Sequence, residues 1–304
     1  MDEVQELEFR SGVVAIIGRP NVGKSTLLNK ILGQKISITS DRPQTTRHLI
    51  RGIKTEPNYQ IVFVDTPGLH LHGKRAMNRY LNRAARGSLE GVDAILWLTD
   101  SLRWTEEDDN IVGILRDSSL PIIMAINKID ALDNQQKLLP MLQERSSHLQ
   151  CLHCVPISAQ SGEGLELLES LLAKLMPVGP SMYPEDQVTD KTERFLAAEV
   201  IREKLMRRLS QELPYAVTVV IEQFKEEAKL LRISGLIWVE RDSQKAIVIG
   251  KDGAGLKAVG RAARLELEKT FEKKIFLQLW VKVKEGWSED ERMLNSLGYE
   301  TEEN

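Results

Sequence analysis

An α/β domain with a mostly parallel sheet and helices on both faces, followed by a smaller α+β domain, is the fold this sequence predicts. Three observations carry it. Short apolar runs alternate with amphipathic stretches from Val13 to Met176, the pattern of strands exchanged with covering helices. The run Gly18-Arg19-Pro20-Asn21-Val22-Gly23-Lys24-Ser25 stands between an apolar stretch and an amphipathic one, the strand–loop–helix context of a phosphate-binding loop. The alternation then ends at Pro177-Val178-Gly179-Pro180-Ser181, with Pro184-Glu185-Asp186 close behind, a concentration of chain-breaking residues.

In the first domain the spacing predicts strands at Val13–Ile17, His48–Lys54, Tyr59–Val64, Ala94–Thr99, Pro121–Ile126 and Leu152–Ile157. Helices are predicted at Ser25–Leu32, Lys74–Ser88, Thr105–Arg116, Gln135–His148 and Gly164–Met176. Thr55-Glu56-Pro57-Asn58 is too short for a helical crossover, so the second and third strands should form an antiparallel hairpin at the sheet edge. The stretch Pro177 to Thr189 reads as a linker. Beyond it the pattern gives helix Glu193–Leu209, strands Ala216–Gln223 and Leu231–Glu240, a short strand Ala246–Ile249, a glycine loop, helix Leu256–Phe271 and strand Ile275–Lys282. The chain thus divides into a first domain over 1–180, a linker over 181–190, a second domain over 191–284 and an acidic helix or tail over 285–304.

The 304 residues suit two domains, and 42% hydrophobic with 28% charged residues is ordinary for a globular protein. No stretch approaches the ~20 apolar residues of a membrane span, and the acidic start resembles no signal or transit peptide, so a cytoplasmic protein is expected. Cys151 and Cys154 enclose His153 but lack a second pair to complete a metal site and lead into apolar Val155-Pro156-Ile157; they read as structural strand residues. The net charge of −3 hides a segregation. Lys191 to Lys284 holds 20 Lys and Arg against 13 Asp and Glu, whereas Glu285 to Asn304 holds one basic residue against seven acidic ones. A basic block fits either an anionic partner or a solvated helix face.

The glycines of the Gly18–Ser25 loop let backbone N–H groups close on an anion, and the helix that follows adds its positive end. Lys24 is placed to reach β- and γ-phosphates and Ser25 to meet Mg²⁺. Asp65-Thr66-Pro67-Gly68 follows the apolar run Ile61 to Val64. Asp65 would engage Mg²⁺ through water, and the Gly68 N–H would meet the γ-phosphate. Asn127-Lys128-Ile129-Asp130 also follows an apolar run. A carboxylate at Asp130 can accept both the N1–H and the N2–H₂ of guanine, a donor pair adenine lacks. Asn127 would brace the loop, and the stem of Lys128 would cover the base. Ser158-Ala159-Gln160 would offer backbone N–H to the guanine oxygen.

These motifs, in this order, resemble the set of a GTP-binding domain. Gln44-Thr45-Thr46-Arg47-His48 resembles its first switch segment, in which Thr46, with Thr45 as alternative, closes on Mg²⁺. The phrases Gly33-Gln34-Lys35-Ile36-Ser37-Ile38-Thr39-Ser40, Arg103-Trp104-Thr105 and Trp280-Val281-Lys282-Val283-Lys284-Glu285-Gly286-Trp287 are similar to the Era family of bacterial GTPases over nearly the whole chain. The resemblance implies a P-loop GTPase domain ahead of a KH type II domain. It implies GTP and GDP contacts from Gly18, Asn21, Val22, Gly23, Lys24, Ser25, Thr26, Asp65, Gly68, Asn127, Lys128, Asp130, Ser158 and Ala159. Mg²⁺ would fall to Ser25, Thr46 and Asp65. Catalysis would fall to Lys24, Asn21, Thr46 and Gly68. The position after Gly68, where Ras-like enzymes keep a water-orienting glutamine, is Leu69, which cannot hydrogen-bond water. In similar hydrophobic-substituted GTPases K⁺ supplies the missing charge, so Asn21 is expected as a K⁺ ligand or, failing that, as a stabiliser of the loop turn.

Gly250-Lys251-Asp252-Gly253 is a GxxG, a pattern expected about once by chance at this glycine content. Its setting before a long amphipathic helix resembles the loop with which a KH domain clamps four nucleotides. Lys245, Lys251, Lys257, Arg261 and Arg264 around it can neutralise RNA phosphates; Asp252 inside the loop opposes them. Trp287 suits packing or base stacking. By the family resemblance the partner is RNA rather than DNA: the 3′ end of 16S rRNA, in 30S subunit assembly by a monomer, with any membrane contact peripheral. A GTPase acting on tRNA or another structured RNA is the alternative.

Overall fold

The computed structural model describes residues 8–40, 45–66, 87, 90–134, 136, 138–209 and 213–297. They form two compact units, the first over 8–36, 46–66, 87, 90–134, 136 and 138–190, the second over 37–40, 45, 191–209 and 213–297. Apart from Gly87, the helix expected at Lys74–Ser88 lies outside the described residues, as do Gly68 and Leu69.

In the first unit β1 (Arg10–Ile17), β2 (Ile50–Glu56), β3 (Tyr59–Asp65), β4 (Ala94–Asp100), β5 (Ile122–Asn127) and β6 (His153–Pro156) form one sheet in the order β2-β3-β1-β4-β5-β6. Every pairing is parallel except β2 with β3, the expected edge hairpin. β4 and β5 are buried at every position, so they carry apolar residues without alternation, as a strand covered on both faces must. Because β1 pairs with β3 on one side and β4 on the other, the strand order reverses beside β1. In an open α/β sheet such a reversal is where the ligand crevice lies, at the carboxyl ends of the strands.

The helices bury one stripe each. α1 (Lys24–Leu32) buries Leu27, Leu28 and Ile31, α2 (Glu106–Arg116) buries Ile111, Val112 and Leu115, and α4 (Leu165–Leu175) buries Leu165, Leu168 and Leu172. α3 runs only Leu138–Ser146, with Pro140 in its first turn, where a missing N–H costs nothing. Cys151 and Cys154 pack beside the core formed by Trp97, Met124 and Met141. Burial pushes both thiols up to about 11, which keeps them protonated. No group of three or more His, Cys, Asp or Glu side chains gathers into a metal-holding set among the described residues.

The stretch read as a linker lies along the first unit's sheet. Val188 O accepts from Ile53 N (2.8 Å), Thr189 Oγ1 donates to Arg51 O (2.7 Å), and Gln60 Oε1 accepts from Met182 N and Tyr183 N (2.7 and 2.9 Å). These bonds cover the open edge of β2 and part of β3. Gln60, fully buried within an apolar strand, has its amide satisfied by this segment.

The second unit contains α5 (Glu193–Arg208), β7 (Thr218–Glu227), β8 (Leu230–Val239), α6 (Asp242–Ile249), α7 (Ala254–Phe271), β9 (Ile275–Val283) and a short α8 (Glu291–Ser296). Its sheet runs β7-β8-β9, with β7 antiparallel to β8 and β9 parallel to it. Residues of α5 and α7, among them Ile201, Leu205, Val259 and Leu267, share one core with Ile233, Ile237 and Ile275 of the sheet. The expected strand at Ala246–Ile249 is helical instead. Gln244 Oε1 accepts from the N–H groups of Glu240 and Arg241 (2.8 and 3.1 Å) and so caps the helix start. Val248 is buried while Ile247 is 60% exposed. Four apolar residues in a row could not distinguish a strand from a helix turn.

Candidate functional site

The phosphate loop joins the end of β1 to the start of α1 in the crevice. Gly23 adopts φ 105°, and a Cβ there would lie 2.4 Å from Asn127 Nδ2. That approach lets Asn127 Nδ2 donate to Val22 O (2.7 Å) while its Oδ1 accepts from Ala159 N (2.8 Å). One buried amide at the end of β5 therefore ties the phosphate loop to the loops that follow β5 and β6.

Lys24 is buried, and its Nζ donates to the carbonyls of Gly18 (2.8 Å) and Arg19 (3.0 Å). Burial lowers its pKa to about 8, against the attraction of Asp65, which raises it. Ser25 Oγ donates to Asp65 Oδ2 (2.8 Å), and Thr46 Oγ1 stands 2.9 Å from Ser25 Oγ and 3.4 Å from Asp65 Oδ2. Asp65 is fully buried at the end of β3, and its neighbour Thr66 is pinned by Oγ1 to Ile16 O (2.8 Å). Two hydroxyls and a carboxylate gathered at one point form a hard-oxygen donor set, which fits Mg²⁺. Thr26 is half-buried in the first turn of α1. Asn21 is exposed with φ 63°, a left-handed conformation that asparagine tolerates.

Asp130 lies exposed in a single turn, Ile129–Ala131, that follows β5. Lys128, just before it, has φ 68°. Ser101 holds this loop from β4: its N donates to Asn127 O and its Oγ to Lys128 O, both 2.9 Å. The ammonium of Lys128 donates to Asp100 Oδ2 (2.8 Å), which leaves its aliphatic stem to cover a base. Asp100 Oδ2 also takes Arg19 Nη2 (3.3 Å), while Arg19 Nε reaches Asp108 Oδ2 (3.1 Å). Asp108, fully buried in α2, meanwhile caps that helix through the N–H and hydroxyl of Thr105. Arg19, Asp100, Ser101 and Asp108 had not stood out in the sequence. The available signal was Asp100 itself, a carboxylate ending a buried strand just as Asp65 ends β3.

The Ser158 N–H donates to Glu163 O (3.0 Å) and the Ala159 N–H to Asn127 Oδ1 (2.8 Å). Of the three amides proposed to face the guanine oxygen, two are thus engaged within the protein. The fixed position of Ser158, fully buried, shapes the turn through Ser161 N (3.1 Å).

In the second unit Gly250, Asp252 and Gly253 have φ of 71°, 51° and 76°, a sharply wound loop between α6 and α7. Lys251, Lys257, Arg261 and Arg264 are exposed around it and Lys245 is half-buried. Trp287 is fully buried, with Nε1 donating to Ala216 O (3.3 Å), so it is a packing residue and not a stacking platform.

Residues 13–128 match the family model described as 50S ribosome-binding GTPase, and residues 212–288 match that of the KH domain. GTPase Era from Stenotrophomonas maltophilia is 56% identical over 296 residues, covering 97% of this chain and 99% of its own. The chain belongs to the Era family of GTPases. GTPase Era from Pseudomonas aeruginosa is 53% identical over 95% of both chains. An Aquifex aeolicus Era variant solved with GDP·AlF₄⁻ matches with a TM-score of 0.92 at 39% identity, covering 96% of this chain and all of its own. A solved complex of Era with MgGDPNP and nucleotides 1506–1542 of 16S ribosomal RNA matches equally well. This Era-family chain is therefore a GTPase, and the glycine loop of the second unit belongs to its KH RNA-binding domain. No helix among the described residues is long and apolar enough to cross a membrane.

Proposed function

We propose that this chain is a Mg²⁺-dependent, guanine-selective switch that binds the 3′ end of 16S rRNA through its KH domain and acts in maturation of the 30S subunit. The convergence of the Ser25, Thr46 and Asp65 oxygens beside the buried Lys24 carries the nucleotide half of this reading. The similarity to Era complexed with 16S rRNA nucleotides supports the RNA half, as does the basic glycine loop. The protein works as a monomer, in the cytoplasm or peripherally on the inner membrane.

Lys24 exchanges its carbonyl partners for β- and γ-phosphate oxygens, and the amides from Gly18 to Thr26 close around the phosphates. Ser25, Thr46 and Asp65 would hold Mg²⁺, which would supply charge neutralisation for the phosphates. Asp130 selects guanine, Lys128 covers its face, and Asn127 keeps both loops in register. Leu69 gives water no hydrogen bond, so positioning and charge must supply the rate; Asn21 would hold a K⁺ ion, which would supply part of that charge.

Two measurements test the reading. Asp130→Asn turns an acceptor pair into a mixed donor–acceptor, so GTP turnover should fall while xanthosine triphosphate turnover rises. Unchanged guanine selectivity would refute the site. Single-turnover hydrolysis should be faster in K⁺ than in Na⁺, and equal rates would remove Asn21 from the mechanism.

A further inference from the structure

The KH sheet has two faces of opposite character. The face of Leu231, Ile233, Ile237 and Val239 is closed by α5 and α7. The other face is set by the β8–β9 register, which pairs Arg232 with Phe276, Ser234 with Gln278, Leu236 with Trp280 and Trp238 with Lys282. Alternation along β9 is strict: Phe276, Gln278, Trp280 and Lys282 are exposed, and the residues between them are not. Phe276 is 41% exposed and Trp280 47%. Two large aromatics thus stand open on the same sheet face.

The charges on this face point to its occupant. The Arg232 guanidinium lies 4.6 Å from the centre of the Phe276 ring, and the Lys284 ammonium 5.9 Å from that of Trp238. Lys225, paired with Arg232 across the β7–β8 ladder, and Lys282 add two more exposed cations. Glu227 is already engaged by Arg232 (3.0 Å). Rings that offer flat faces between cations suit unpaired bases and their phosphates. A protein interface would accept the aromatics and Arg232 but is depleted of lysine, whereas this face carries Lys225 and Lys282.

We propose that this open face is a second RNA-binding surface, one that stacks unpaired bases on Trp280 and on the Phe276–Arg232 pair. It is distinct from the Gly250–Gly253 loop and rests on the RNA-binding reading of that domain. Trp280 and Phe276 are four residues apart on one strand, about 13 Å, so the surface takes an extended strand and not a single base. The phosphates of that strand would meet Lys225 and Lys282.

The test compares two labelled single-stranded RNAs by fluorescence anisotropy on the full chain: a tetranucleotide, the length a KH loop clamps, and a dodecanucleotide. The double variant Phe276→Ala/Trp280→Ala should bind the longer RNA about tenfold or more weakly and the tetranucleotide as the native protein does. Gly253→Asp should weaken both. Lys225→Glu/Lys282→Glu leaves every ring in place and should reproduce the length-dependent loss, which guards against a folding defect in the aromatic variant. Unchanged dodecanucleotide affinity in both surface variants overturns the proposal even if Gly253→Asp is defective. If only Gly253→Asp is silent, the loop reading falls and the sheet surface stands. Self-association that depends on Trp280, with RNA affinity unaltered, would assign the face to protein contact instead and would equally overturn the proposal.

Discussion

Asp100→Asn is the perturbation that best tests how the guanine loop is held. One oxygen of this carboxylate serves two cations, Lys128 Nζ at 2.8 Å and Arg19 Nη2 at 3.3 Å, while the other accepts from Leu102 N (2.8 Å). Asparagine keeps the shape and the bond from Leu102. It loses the charge and leaves two cations near a neutral amide. The Lys128 side chain is 36% exposed, so water takes over much of its loss, and an exposed pair is worth under about 1 kcal/mol. Arg19 and Asp100 are 11% and 5% exposed, where a charge-assisted bond is worth about 1.5–3 kcal/mol. Arg19 retains Asp108 at 3.1 Å, which places the loss at the lower end. The total is about 2 kcal/mol of order in the guanine loop. If the nucleotide must restore that order on binding, the Kd for GDP rises about 10- to 30-fold.

Stopped-flow binding of a fluorescent GDP analogue measures this, and the change should lie chiefly in the dissociation rate. A double-mutant cycle with Lys128→Met then separates positioning from general stability. If Asp100 acts through Lys128, the two effects are not additive, and the coupling is about 1 kcal/mol. Additive effects, or a GDP Kd within twofold of native, would refute the reasoning.

Other consequences follow from the same geometry. Lys24 has a pKa of about 8 in the free protein, and bound phosphates raise it, so nucleotide binds the ammonium form. Affinity should be level below neutrality and fall roughly tenfold from pH 7 to pH 9; calorimetry in two buffers should show proton uptake near pH 8.5, and no uptake would contradict the lowered pKa. Gly23→Ala forces an L-residue into φ 105° and its Cβ to 2.4 Å from Asn127 Nδ2, so GDP affinity should drop more than about 100-fold and the melting temperature should fall by several degrees; near-native binding would mean Asn127 is not the clamp. Trp287→Ala empties a fully buried site and should destabilise the second unit by about 3–5 kcal/mol in urea unfolding, with GTP hydrolysis by the first unit preserved.

Those residues differ in how far the sequence reveals them. Lys24, Ser25 and Asp65 are legible because each stands at a junction of apolar run and loop, where the local pattern places it. The strands of the first unit are legible for the same reason. Arg19, Asp100 and Asp108 are not, since their roles depend on which loops the sheet brings together. An arginine inside a phosphate loop and an aspartate at a strand end have many ordinary uses. Ala246–Ile249 failed differently: four apolar residues fit either period, and the deciding element was the side chain of Gln244, which caps a helix. The segment 177–190 carries linker composition, yet its carbonyls, amides and the Thr189 hydroxyl complete the edge of β2; composition reports flexibility of the isolated chain and not the bonds a neighbouring edge offers.

Strand register explains how residues so distant in sequence act at one point. β1 places Ile16 opposite Asp65 of β3, and β4 places Asp100 opposite Asn127 of β5. Both carboxylates therefore end their strands level with a loop they must serve, Asp65 with the phosphate loop and Asp100 with the guanine loop. Side chains alternate between faces along a strand, so a slip of one residue in either pairing would turn the carboxylate to the opposite face. The buried, unalternating sequence of β4 and β5 gives little protection against such a slip through hydrophobicity alone. The polar ties do it instead: Ser101 N to Asn127 O, Lys128 Nζ to Asp100, and Asn127 to both Val22 and Ala159. On this argument the network around Asp100 fixes the register of the strands as well as the pose of the base. Asp100→Asn should accordingly raise amide exchange at Asn127 and Lys128 in the nucleotide-free protein, before any ligand is present; protection equal to native would confine Asp100 to the bound state.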